Sequence, residues 1–376
     1  MLITLVAAAR PNFMKVAPII KAIQAAQRNG ANIRYRLVHT GQHFDRKMSE
    51  AFFEELGIPD PDENLGCGGG SQAEQTAAVL VGFERELLSH RPDLVIVVGD
   101  VNSTMACAIS TKKLAIPLAH VEAGIRSGDM TMPEEINRIV TDSICDYFFT
   151  TSETANKLLA KQGVDSSRVF FVGNTMIDTL ISNLDRLEVP DLYGSYELRK
   201  GDYFLLTLHR PSNVDDPENL QRLLRSVTEG SRGLPIVFPV HPRTRKVLAD
   251  LGSDFEGIIQ SEPLGYLEFI YLLQNSKAVI TDSGGITEEA TVLSIPCMTL
   301  RNTTERPETV SQGSNELVGT DPANLAQYFD ILFSGEWKSA TIPKFWDGKS
   351  ANRIVDALIA LNSRLRPEAS NSLAVA

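Results

Sequence analysis

At 376 residues the chain is long enough for two domains of roughly 100–200 residues each. Its 43% hydrophobic and 22% charged residues exclude wholesale disorder, and a formal charge of −11 excludes a polyanion-wrapping surface, leaving room only for a local basic cleft. The four scattered cysteines, Cys67, Cys107, Cys145 and Cys297, exclude a cysteine zinc cluster and a disulfide scaffold, and the six histidines show no compact ligand spacing. No metal, nucleic-acid partner or membrane span is expected, since no stretch approaches the roughly 20 apolar residues a span requires. The apolar start Met1–Ala9 lacks a basic n-region, so a cytoplasmic protein whose first strand begins almost at residue 1 is expected.

Short apolar, β-branched runs then alternate with longer amphipathic ones. Strands are predicted over Leu2–Ala8, Ile33–His39, Leu94–Val98, Pro117–Val121, Tyr147–Thr150 and Val169–Val172. Helices are predicted over Lys15–Gln27, Ala73–Leu88, Ser103–Leu114 and Pro133–Ile144. Near-continuous apolar strands separated by helices indicate a parallel sheet covered on both faces. The glycine-dense stretch Gly66–Gly70 follows no convincing strand and reads better as a loop than as a dinucleotide fingerprint.

The pattern restarts after a polar stretch containing Pro190, Gly194 and Gly201. Strands are predicted over Tyr203–Leu208, Pro235–Val240, Gly257–Ile259, Ala278–Thr281 and Pro296–Leu300, with helices near Glu218–Thr228, Leu267–Leu273 and Thr287–Leu293. The expected class is α/β, with two doubly wound Rossmann-like domains and ligands outside the carboxyl ends of their strands, in an interdomain cleft. The expected boundaries are 1–186 for the N-terminal domain, 187–202 for a linker and 203–346 for the C-terminal domain. A C-terminal helix over 347–366 can pack back on the first domain, and 367–376 reads as a flexible tail.

Polar residues placed where strands end carry the chemical signal. Arg10 follows the first strand and Lys15 lies one turn into the next helix, a cationic helix start suited to a phosphate. Asp100 ends the strand Leu94–Val98 and suits either a helix cap or chemistry, with Asn102 and Ser103 as alternative caps. His120 and Glu122 share a strand face, Arg126 is a candidate partner for the carboxylate, and the small Ala123 and Gly124 admit a ligand or another backbone. Glu134 and Glu135 follow Pro133 in a first helical turn, where the helix dipole or an i,i+4 pair of Glu134 with Arg138 accounts for them. Together with Asp100 and Glu122, Glu134 could also complete a carboxylate cluster that divides acid and base roles.

In the second half His209-Arg210 and His241-Pro242-Arg243 end successive strands, and Phe269 joins Arg210 and His241 as a substrate-binding candidate. Thr281-Asp282-Ser283-Gly284-Gly285 runs from a strand into a helix start whose bare N–H groups can hold a pyrophosphate. Glu289 is placed to accept from a ribose diol, and Arg306 either neutralises phosphate or braces Glu289.

These stretches together resemble the non-hydrolysing UDP-N-acetylglucosamine 2-epimerases. The matching segments are Ala9-Arg10-Pro11 with Lys15, Gly99-Asp100, His120-Val121-Glu122-Ala123-Gly124, Pro133–Arg138, His209-Arg210, Thr281–Gly285 with Glu288-Glu289-Ala290, and Thr303–Glu308. They occur in family order across about residues 1 to 320, which makes the resemblance specific although each segment alone is weak. It implies a glycosyltransferase-B architecture, a cytoplasmic homodimer, no cofactor, and reversible conversion of UDP-GlcNAc to UDP-ManNAc by anti elimination of UDP and its return. By position it implies Asp100, Glu122 and Glu134 as acid/base carboxylates and His209 as the histidine near the diphosphate. Arg10, Ser283, Gly284 and Gly285 match phosphate contacts, Lys15 an active-site lysine, Glu289 the ribose contact and Arg306 a UDP-site arginine.

Three departures stand out. Leu264 replaces the glutamine some members place beside uracil, Asn302 replaces an aspartate, and Leu65–Gln72 has no arginine for a second, activating UDP-GlcNAc. Ala9–Phe13 and Gly41–Phe44 lean toward relatives acting on UDP-diacetamido-glucuronic acid, whereas Thr304–Pro307 leans toward UDP-GlcNAc. A glycosyltransferase of the same architecture and a non-catalytic nucleotide-sugar binder are the competing readings.

Overall fold

A computed structural model describes residues 1–8, 10–41, 55–252 and 255–365. The chain divides into two compact units, Met1–Ile181 with Lys344–Ala376, and Ser182–Pro343. The predicted tail over 367–376 lies outside the described residues.

The first unit is built on a parallel seven-stranded sheet. Its strands are β1 (Leu2–Ala7), β2 (Arg34–His39), β3 (Glu63–Asn64), β4 (Leu94–Val98), β5 (Leu118–Val121), β6 (Tyr147–Thr150) and β7 (Val169–Phe171), in the order β3-β2-β1-β4-β5-β6-β7. β1 is an interior strand, with Leu5 opposite Leu37 on one side and Ile96 on the other. The strand order reverses between β1 and β4, and such switch points are where doubly wound sheets take ligands. β4 is buried at all five positions, as a central parallel strand demands. The unpredicted β3 is a polar two-residue edge strand without an apolar run to announce it. Gly66–Gly70 leads from it to Ser71, which caps the helix Gln72–Ser89 reciprocally with Glu74.

Local conflicts are resolved by neighbours. Pro18 inside the helix Arg10–Arg28 has no N–H for the carbonyl four residues back, and the Thr179 hydroxyl donates to that Met14 oxygen at 2.5 Å instead. Gly173 passes so near the returning chain that a Cβ there would stand 2.1 Å from the Phe345 carbonyl oxygen. Buried Trp346 donates to Thr151 at 3.0 Å, and Asp178 accepts from the N–H groups of Ser350 and Ala351 at 3.0 and 2.6 Å. The helix Ser350–Leu365 thus packs against Arg10–Arg28 within this unit.

The second unit is a parallel six-stranded sheet of β8 (Phe204–Thr207), β9 (Ile236–Pro239), β10 (Ile258–Ser261), β11 (Ala278–Thr281), β12 (Cys297–Thr299) and β13 (Asn315–Leu317). Its order is β10-β9-β8-β11-β12-β13, so β8 and β11 flank the switch point. Phe204, Leu206, Phe238, Ile280 and Phe329 form part of its core. β13 begins on an asparagine and was not predicted. Among the described residues no helix is long and apolar enough to cross a membrane.

Candidate active site

In the first unit the polar residues gather at the carboxyl ends of β4 and β5. Gly99, with φ of +70°, turns the chain out of β4, and a Cβ there would lie 3.2–3.3 Å from Asn12 Nδ2, Glu122 Oε2 and Lys15 Nζ. The turn therefore forms the floor under a Lys15–Glu122 ion pair, in which Glu122 is only 1% exposed. Glu122 itself has φ of +73°, a left-handed conformation that costs a non-glycine residue about 1–2 kcal/mol. Its N–H still donates to Phe149 at 3.0 Å, so the strain aims the side chain without breaking the sheet edge. The cation beside Glu122 is Lys15 rather than Arg126, which pairs with Asp142 at 2.7 Å.

Asp100 is not a helix cap. The helix Asn102–Lys113 starts at Val101 without a side-chain cap, Asn102 bonds Gln75, and Ser103 bonds Thr40. The Asp100 carboxylate instead accepts from Arg138 Nε and Nη2 at 3.0 and 2.5 Å. Arg138 reaches Glu135 with its other terminal nitrogen at 2.8 Å, so the expected Glu134–Arg138 pair is not made. Burial raises the Glu135 carboxyl, but N–H groups of Ser127 and Gly128, together with Arg138, hold it below the ordinary range. Glu134 is half-buried and has no hydrogen-bond or ion-pair partner among the described residues. The acid next to it in sequence does the structural work and leaves Glu134 uncommitted.

Behind these groups His120 is fully buried, with Nε2 donating to the Gly99 carbonyl at 2.8 Å and Nδ1 facing Asp142 at 2.7 Å. Asp142 also accepts from the Gly124 N–H at 3.0 Å. Gly124 makes room for another backbone, since a Cβ there would stand 2.8 Å from the Ala155 carbonyl oxygen. Arg10 opens the first helix, but its side chain lies outside the described residues.

In the second unit His209 follows β8, and its Nδ1 meets buried Asp282, just after β11, at 2.7 Å. His241 caps the helix Pro242–Leu251 by accepting from the Arg243 N–H at 3.2 Å, and its ring centre is 5.8 Å from that of His209. Arg243 is held by Asp215, while Arg210 donates from Nε to the Asp282 carbonyl at 3.0 Å. Ser283 begins the helix Gly284–Leu293 with no side-chain cap, leaving the first N–H groups of Gly284 and Gly285 to an anion. Gly284 cannot be larger at no cost, because a Cβ would lie 2.6 Å from Glu305 Oε1, which belongs to a carboxylate bonded to Arg301. Glu289 is buried on the same helix, and Arg306 pairs with Glu288. Phe269 is half-buried on the helix Tyr266–Asn275. No group of three or more His, Cys, Asp or Glu among the described residues is arranged to hold a metal ion.

A family model described as UDP-N-acetylglucosamine 2-epimerase matches residues 24–359. The chain belongs to the UDP-N-acetylglucosamine 2-epimerase family. It is 41% identical over 371 residues to the UDP-N-acetylglucosamine 2-epimerase of Methanocaldococcus jannaschii, covering 95% of this chain and 99% of the relative. A crystal structure of the M. jannaschii UDP-GlcNAc 2-epimerase in complex with UDP-GlcNAc and UDP superposes with a TM-score of 0.86 at 41% identity, covering 96% of this chain and all of that one. The UDP-2,3-diacetamido-2,3-dideoxy-D-glucuronate 2-epimerase of Pseudomonas aeruginosa is 42% identical over 314 residues, 83% of this chain and 86% of its own. Membership makes the chain an isomerase with two parallel-sheet α/β domains of glycosyltransferase-B type.

Asp282, Asn12 and Gly99 are site components without an assigned role at the level of sequence, where Arg138 has a role only as the partner of Glu134. Asp282 lies inside the phosphate-turn motif, and only its position one residue past a strand that neighbours β8 hints at His209.

Proposed function

We propose that the protein interconverts UDP-GlcNAc and UDP-ManNAc by anti elimination and re-addition of UDP, supplying precursors for surface polysaccharide. The observation that carries this reading is the set of carboxylates around the ends of β4 and β5, two of them ion-paired with a cation from another element. The C2 proton of UDP-GlcNAc has no adjacent carbonyl to acidify it, so expulsion of the diphosphate is the route that needs no oxidation. The C1–O bond breaks with its electron pair leaving on UDP, a carboxylate takes the C2 proton, and C1=C2 forms. In return the UDP oxygen attacks C1 and a carboxylic acid delivers a proton to the opposite face of C2.

Lys15 offsets the charge of Glu122, and Arg138, shared with Glu135, offsets part of that of Asp100, so carboxylates can crowd one ring carbon. Glu134, tied to no cation, supplies the group free to gain and lose a proton. On the second unit the bare start of Gly284–Leu293 and His209 answer the charge that builds on the departing diphosphate, with Glu289 on the ribose and Arg306 steadying the helix through Glu288. Arg10 belongs to the phosphate grip by its place in the family pattern. A homodimer working in the cytoplasm without a cofactor completes the proposal. The sequence bounds of 1–186 and 203–346 with a linker at 187–202 differ from the compact units, which divide at Ser182 and Lys344.

Incubation with UDP-GlcNAc in D2O tests it. Deuterium at C2 together with UDP-ManNAc is expected with no acceptor present, and unchanged sugar would overturn the proposal. The P. aeruginosa relative supports a second substrate, UDP-2,3-diacetamido-glucuronic acid, and the ratio of kcat/KM on the two sugars decides between them.

A further inference from the structure

We propose that Asp282 is a positioning residue that fixes the ring of His209 so that Nε2 faces the diphosphate of the bound nucleotide sugar, an inference that rests on the epimerase reading above. β8 and β11 are adjacent strands with Thr207 opposite Thr281, and the two hydroxyls meet at 2.6 Å. Just beyond that locked register the chain places His209 and Asp282 side by side. Four nitrogens surround the Asp282 carboxylate. His209 N–H lies at 3.0 Å, Arg210 N–H at 2.9 Å, Asn213 Nδ2 at 3.1 Å and His209 Nδ1 at 2.7 Å.

Burial pushes the Asp282 carboxyl up, but His209 and the surrounding donors outweigh this and hold it below the ordinary range. An ionised carboxylate can only accept, so the hydrogen of this contact sits on Nδ1. Nε2 has no hydrogen-bond partner among the described residues, and the ring is 41% exposed while Asp282 is 0% exposed. The device is thus a half-exposed imidazole backed by a buried anion. Asn213 clamps it by also donating to the Leu300 carbonyl at 3.1 Å. Because Ser283 follows Asp282 directly, the residue that sets the ring also starts the turn offered to phosphate. One carboxylate therefore ties together the two groups that meet charge on the leaving group.

Histidine-selective 15N NMR of the full-length chain reads the protonated nitrogen directly, with the His209 signals identified by their loss in His209→Gln. Protonated Nδ1 in the unsubstituted protein is expected, and a bare Nδ1 would overturn the proposal. This readout needs no turnover, so it stands or falls separately from the epimerase assignment. In kinetics, Asp282→Asn is expected to lower kcat by about 10²- to 10⁴-fold while KM changes by less than about threefold. In a His209→Gln background the same change is expected to cost less than about threefold, since the aspartate acts through the ring. An equal cost with and without the histidine would mean that Asp282 merely braces the backbone, and the proposal would fall. Should Asp282→Asn not fold, the NMR of the unsubstituted chain still decides.

Discussion

His120 and Asp142 meet at 2.7 Å in the interior of the first unit, each side chain 1% exposed, and through them the ends of β4 and β5 are tied to the helix Pro133–Ile144. The Gly99 carbonyl, His120, Asp142 and Arg126 form one connected run, so the floor of the carboxylate cluster depends on a buried anion. Burial raises the Asp142 carboxyl, and the charges of His120 and Arg126 more than reverse this, leaving it below its ordinary value.

That pair predicts acid sensitivity. Asp142, Glu135 and Asp282 all bind protons less readily folded than unfolded. As pH falls through about 4 the unfolded chain takes up protons first, so their stabilisation is complete above that range and is lost toward the depressed folded values. Asp178 runs the other way: burial raises its carboxyl, and its contribution fades as pH rises through that raised value. The urea midpoint is expected to be lower near pH 4 than at pH 7. Asp142→Asn should cost roughly 3–5 kcal/mol at pH 7 and flatten that dependence, because buried His120 and part-buried Arg126 lose their anionic partner. A midpoint indifferent to pH would contradict this.

Glu134 and Glu135 are neighbours with opposite commitments, and substitution should separate them. Glu134→Gln is expected to leave stability within about 0.5 kcal/mol and to slow deuterium entry at C2 by about 10²- to 10⁴-fold. Glu135→Gln breaks the buried contact with Arg138 and should destabilise by roughly 3–5 kcal/mol. Chemical denaturation and exchange assays on both variants check the pair. Equal behaviour would remove the distinction.

Two glycines make a further contrast. Gly99→Ala must place a Cβ against Lys15, Glu122 and Asn12 at positive φ, so a loss of about 1–2 kcal/mol and at least about tenfold lower kcat are expected. Gly284→Ala has negative φ but must displace the buried Glu305 carboxylate, so a loss of about 1–3 kcal/mol is expected while UDP affinity falls by about tenfold. Calorimetric titration with UDP against both variants tests the assignment, and unaltered binding by Gly284→Ala would remove the helix start from the phosphate grip.

Both sheets and the carboxylates at their strand ends were legible in the sequence for one physical reason. A central parallel strand buried on both faces must be apolar throughout, so Asp100, Glu122 and His209 stand out just where β4, β5 and β8 stop. The short edge strands β3 and β13 carry no such run and stayed hidden. Which cation serves which anion was decided by the fold. Arg126 lay four residues from Glu122 yet serves Asp142, Lys15 comes from 107 residues away, and Arg138 passes over Glu134 to reach Glu135 and Asp100. Local spacing offers several partners of nearly equal reach, and burial selects among them, because a charge removed from water persists only beside the group that strand order brings to it.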